Sequence, residues 1–105
     1  MKVLFDVNTP HPLRRLLPEH EVTFAQDMGW AELRNGELIK AAEGRFDVPL
    51  TADQNLGYQQ NLRGRMLAIL VIPTNRLREV LRYVEDIRSA LAVIKPGDFV
   101  EIPRK

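Results

Sequence analysis

Residues 66–72 read Met-Leu-Ala-Ile-Leu-Val-Ile, an apolar run without a single polar break, closed by Pro73. Such a run is far short of the roughly 20 residues a membrane-spanning helix needs. Nor does it show the 3- and 4-residue spacing of a helix with one wet face. It reads as a strand buried on both faces, the kind found in parallel sheets with helices above and below. Lys2–Asp6 (KVLFD), Glu21–Phe24 (EVTF), Val48–Thr51 (VPLT) and Phe99–Ile102 are shorter strands around it.

Helical patterns fill the intervals. Thr9 caps a helix over 10–17 whose first turn tolerates Pro10 and Pro12, and Pro18 ends it. Gln26–Leu33, with Trp30, reads as a turn or short helix. Asn35 opens a helix with Leu38, Ile39, Ala41, Ala42 and Phe46 on its apolar side. Gln54–Leu62 predicts a short polar helix. Asn75–Ile94 predicts the longest one, with Leu77, Val80, Leu81, Val84, Ile87, Leu91 and Ile94 recurring at helical spacing. Lys95-Pro96-Gly97-Asp98 is a turn. The chain of 105 residues therefore predicts a single α/β domain over 1–105, a mostly parallel sheet of four to five strands in three layers.

Composition narrows the chemistry. With no Cys, the chain has no disulfide framework, thiolate metal site or Cys nucleophile. His11 and His20 are the only histidines, too few for an imidazole zinc site. Lys+Arg 15 against Asp+Glu 14 exerts no global pull on nucleic acid or membrane. The opening apolar run is cut at Asp6, too early for a signal peptide, so the expected location is cytoplasmic, with no membrane partner.

In a parallel sheet ordered 2-1-3-4-5, the order reverses between the strand ending at Asp6 and the one preceding Asp53. Ligands of such sheets sit at that reversal, beyond the carboxyl ends of the strands. Asp6 and Asp53 each follow an apolar strand and each has an Asn two positions on, Asn8 and Asn55. Glu37 lies in the first turn of the helix before the third strand. Converging carboxylates repel, and a hard divalent cation, Mg²⁺ or Mn²⁺, relieves the repulsion. Such a cation supplies an activated water and stabilises charge on a phosphodiester under in-line attack. Asn8 and Asn55 are candidate supporting contacts. Each acid also has a plain structural role: Asp6 accepting backbone donors after its strand, Glu37 favoured by the helix dipole, Asp53 capping the helix at Gln54.

At these residues a resemblance enters. The run F-D-V-N-T-P resembles the D-E-N-L-P opening of small PIN-like proteins of the DUF5615 type, predicted nucleases of toxin–antitoxin systems. It continues through E-V-T-F-A-Q-D-M-G-W, N-G-E-L-I-K-A-A-E and F-D-V-P-L-T-A-D-Q-N-L-G-Y-Q-Q-N-L. It covers about residues 1–75, and the tail, with N-R-L-R-E-V and K-P-G-D-F-V-E-I, is similar to one subgroup. The resemblance implies a PIN-like α/β/α fold and a Mg²⁺- or Mn²⁺-dependent ribonuclease site with Asp6, Glu37 and Asp53 as its catalytic, metal-holding acids. It also implies a small antitoxin partner and a homodimer. Val7 and Gly36 stand where the family pattern carries acids, and Glu32 is the nearest candidate for a further one.

Past Asp53, Tyr58, Gln59 and Gln60 are candidate RNA contacts, by stacking and by hydrogen bonds to sugar or phosphate, and Arg63 and Arg65 are candidate phosphate contacts. The competing reading for Tyr58–Asn61 is a solvated polar helix. His11 is either a proton shuttle or structural, and Trp30 either a core plug or a base-stacking ring. Two functions compete: a metal-dependent ribonuclease, and a catalytically weak or inactive PIN-like module that binds protein or RNA. A receiver-like phosphoacceptor fits poorly, since Asp6 lacks an acidic neighbour and Lys95 precedes the last strand.

Overall fold

Five parallel strands lie in the order β2-β1-β3-β4-β5 in the computed structural model, which describes residues 1–33, 35–54 and 65–105. They are β1 (Lys2–Phe5), β2 (Glu21–Phe24), β3 (Val48–Thr51), β4 (Ile69–Val71) and β5 (Phe99–Glu101). The register pairs Val3 with both Val22 and Val48, and Leu50 with Leu70, so like-facing aliphatic residues stack across the sheet. Side chains alternate between faces along a strand, which explains the two apolar layers. Val3, Phe5, Leu50, Ala68, Leu70 and Ile72 join one cluster, while Leu4, Leu67, Ile69 and Val71 join the other.

Helices cover both layers, as continuous apolar strands require. Helix α1 (Asn35–Ala42) lays Leu38, Ile39 and Ala42 on the second cluster. Helices α2 (Leu77–Val80) and α3 (Val84–Val93) cover the first cluster through Val80, Ile87 and Leu91. The expected three-layer α/β arrangement and the 2-1-3-4-5 order are both present.

Three elements differ from the sequence reading. The expected helix over 10–17 is a 3₁₀ helix, His11–Leu16. Leu13 N–H reaches the Pro10 carbonyl and Leu17 N–H the Arg14 carbonyl, each at 3.2 Å, the three-residue spacing of a 3₁₀ helix. The strand expected over 66–72 has regular pairing only at Ile69–Val71, although Leu67–Ile72 are all buried. Its ends still bond to the neighbouring strand's flanks, Ala68 N–H to Asp47 O and Ile72 N–H to Thr51 O.

The third difference is the helix expected over 75–94. It is two helices, α2 and α3, joined by a 3₁₀ turn at Leu81–Tyr83, with Tyr83 at φ −108°, ψ 5°. The break sinks the Tyr83 ring into the core, where its hydroxyl accepts the Lys105 N–H at 2.8 Å. Burying that aromatic resets the helix phase, and Leu77 and Leu81 are left 38% and 50% exposed. Among the described residues, no helix is long and apolar enough to cross a membrane.

Candidate functional site: an acidic cleft at the sheet reversal

The carboxyl ends of β1 and β3 open into a cleft of about 550 Å³ at the point where strand order reverses. Asp6, Glu32 and Asp53 are the charged side chains among the described residues lining it, with Asn8 and Thr51 beside them. Trp30, Leu33 and Leu38 line it from the α1 side.

Asp6 leaves β1 as its backbone N–H bonds to Leu50 O at 3.2 Å, the last rung before the strands part. Its side chain then organises the turn that follows. Oδ1 accepts the Thr9 hydroxyl at 2.6 Å and the Asn8 N–H at 3.2 Å, and Thr9 N–H bonds to Asp6 O at 3.1 Å. Oδ2 accepts the hydroxyl of Thr51, the final residue of β3. The same Thr51 oxygen accepts the Asp53 N–H at 3.0 Å. One buried threonine therefore holds both the Asp6 carboxylate and the Asp53 backbone N–H. Gln54 fixes the loop beyond, its side-chain amide donating to Ile72 O at 2.7 Å.

A carboxylate offers about four acceptor positions, and the three donors on Asp6 orient it without filling it. Asp6 and Asp53 both line the cleft and both are only partly buried. Mg²⁺ characteristically uses one or two carboxylates and keeps several waters. The pair fits that habit. Among the described residues, no three His, Cys, Asp or Glu side chains cluster as metal ligands.

The expected site residues divide accordingly. Asp6, Asp53 and Asn8 come together at the cleft, and Glu32 joins them. Glu37 lies in the first turn of α1, exposed, and does not line it. Arg65 precedes β4, at the opposite edge of the sheet, and pairs with Glu43 at 2.7 Å. Asn55, Tyr58, Gln59, Gln60 and Arg63 lie outside the described residues. His11 stacks on Phe24 with ring centroids 4.0 Å apart and has Gln26 Nε2 2.6 Å from its Nε2; it is not part of the cleft wall.

No family model, curated protein or solved structure matches this chain. The site therefore stands on its own geometry.

Trp30 is the cleft residue whose place the sequence left open. Its position follows from the turn before it. Gly29 ends the 3₁₀ segment Ala25–Met28 at φ 77°, a left-handed conformation that costs glycine little. Trp30 N–H then bonds to Ala25 O at 2.9 Å, and the half-buried indole comes to rest at the cleft. The signal in the sequence was the Gly-Trp step itself: a residue free to reverse the chain, followed by the chain's single tryptophan.

Proposed function

We propose that this cleft holds Mg²⁺ or Mn²⁺ through Asp6 and Asp53 and hydrolyses RNA phosphodiester bonds. The observation that carries the reading is that Asp6 and Asp53, which follow sequence-distant strands, line one cleft at the reversal of a parallel sheet, with Thr51 bonded to the Asp6 carboxylate and the Asp53 N–H. A cation bound there would supply a water of lowered pKa and offset charge on the phosphoryl oxygens. The chain's own contribution is orientation. Asp6 is held by Thr9, Thr51 and the Asn8 N–H, so little reorganisation accompanies loading, while Asn8 lines the same cleft and can contact a bound phosphate or sugar.

Glu32 is a third carboxylate on the same wall and is the available group for a solvent-side contact. The resemblance to small PIN-like nucleases supports the same assignment and supplies its biological setting: the toxin half of a toxin–antitoxin pair, neutralised by a small protein. That setting and the homodimer rest on the resemblance alone. Cleavage of a labelled single-stranded RNA tests the chemistry. The reading expects activity that requires Mg²⁺ or Mn²⁺, disappears with chelator and is lost in Asp53→Asn. Cleavage unaffected by chelator, or retained in that variant, contradicts it.

One observation favours a second reading, an inactive PIN-like module that binds RNA or protein. Asp6 spends three acceptor positions on its own turn, and no third acid joins the pair in a ligating cluster among the described residues. An RNA that binds the cleft uncut in every divalent cation would establish it.

A further inference from the structure

The acidic wall of the cleft faces a chemistry that hydrolysis alone does not need. Trp30, Leu33 and Leu38 line the same space as Asp6, Glu32 and Asp53, so one cavity offers both carboxylates and an aromatic and aliphatic surface. A nucleotide carries the matching pair of surfaces, an anionic phosphate that a cation bridges to carboxylates and a flat base that stacks on an indole. About 550 Å³ is within the range of pockets that enclose small ligands.

We infer that Trp30 is the stacking platform for an unpaired nucleobase beside the phosphate being cleaved. This rests on the proposed reading of the cleft as a nucleic-acid site. The indole is well fixed for the role. Phe46 packs against it in a T-shaped arrangement, with ring centroids 6.0 Å apart and an interplanar angle of 79°, and the Arg45 guanidinium lies over one face of the ring, 5.9 Å from its centroid. Neither Phe46 nor Arg45 lines the cleft, so they support the ring from elsewhere. Its backbone is anchored to Ala25. An aromatic held this way loses little further freedom when a base stacks on it. Trp30 packs against the second core cluster and is half-buried, with part of its surface on the cavity that Asp6 and Asp53 also line.

Trp30 is the only tryptophan in the chain, so its fluorescence reports the platform directly. The full chain is titrated in Mg²⁺ with a hydrolysis-resistant phosphorothioate oligoadenylate and with an abasic strand of equal length and charge. Cleavage of unmodified oligoadenylate is followed in the same buffer. Saturable quenching by the base-bearing strand, with the abasic strand binding about tenfold more weakly, is the expected result. Trp30→Leu, which keeps apolar bulk without the π-face, should raise KM about tenfold with kcat nearly unchanged, and Trp30→Phe should recover most of the loss. Equal quenching by both strands, or none by either, alongside normal cleavage overturns the role of Trp30 and leaves the nuclease reading intact. Base-dependent quenching without cleavage upholds the platform and removes the catalytic reading. Neither quenching nor cleavage overturns both.

Discussion

Thr51 donates its hydroxyl proton to the carboxylate of Asp6, a residue 45 positions earlier in the chain. The same oxygen takes the backbone N–H of Asp53 at 3.0 Å, so the Asp6 carboxylate and the Asp53 backbone are held by one side chain that is 2% exposed. Thr51→Val keeps the shape and removes the hydroxyl. Urea unfolding should show a loss of about 1–3 kcal/mol, the usual cost of leaving buried polar partners unmet. Divalent-cation affinity should fall as well, and Thr51→Ser should restore both. A variant as stable and as metal-competent as wild type would mean the bridge is incidental.

The break at Tyr83 makes a sharper claim about the long helical segment. A continuous helix would give Leu81 the same burial as Ile87 and Leu91, yet Leu81 is half exposed while the other two are fully buried. Leu81→Ala should change stability by no more than about 0.5 kcal/mol. Leu91→Ala should cost about 2–5 kcal/mol through lost burial and the cavity left behind. Matched costs at the two positions would argue for the unbroken helix.

Glu79, in the first turn of α2, accepts the Thr74 hydroxyl at 2.6 Å. That bond, aided by the positive charges of Arg104, Arg76 and Arg82, holds its pKa below the ordinary 4.5. A depressed carboxylate stabilises the fold above the unfolded-state value and loses that contribution as pH falls through the folded one. The stabilisation from Glu79 should thus be complete above about pH 4.5 and fade at more acid values. A carboxyl NMR titration should place Glu79 below 4.5, and Thr74→Val should move it upward. An unchanged midpoint in that variant would show that the hydroxyl does not hold the charge.

His20 runs the same way for a different reason. Burial, reinforced by the amino terminus, lowers its pKa below 6.5, and its Nδ1 is buried with no hydrogen-bond partner among the described residues. The unfolded chain therefore takes up a proton at His20 more readily than the folded one. Its contribution to stability should be present above about pH 6.5 and shrink as pH drops through the lowered folded value. His20→Gln should flatten the stability profile across that window. A profile as steep as wild type would assign the dependence to other groups.

The sheet was legible because its signals were local and redundant. Val3–Phe5 and Val48–Leu50 are apolar at every position and lead directly into Asp6 and Thr51, and burial on two faces leaves few other arrangements for such runs. Strand order then pointed to the sheet end where Asp6 and Asp53 line one cleft. Other features were not local. The 3- and 4-spacing from Leu77 to Ile94 is compatible with one helix, and only the tertiary burial of Tyr83, with Lys105 bonded to its hydroxyl, interrupts it. Glu37 was placed by its helix start alone, and the approach of α1 brings Leu33 and Leu38 to the cleft in its stead. Arg65 follows Asp53 in sequence, yet it immediately precedes β4, whose parallel direction puts that end at the far edge of the sheet. Trp30 needed the Gly29 turn to be seen in three dimensions.

The most direct test of the account is Mn²⁺ titration by calorimetry of the wild-type chain, Asp6→Asn and Asp53→Asn, each first shown folded by circular dichroism. Saturable binding by the wild type, weakened at least about tenfold in each variant, is what two carboxylates sharing one cation predict. Equal affinity in all three proteins, or no binding by the folded wild type, would contradict it.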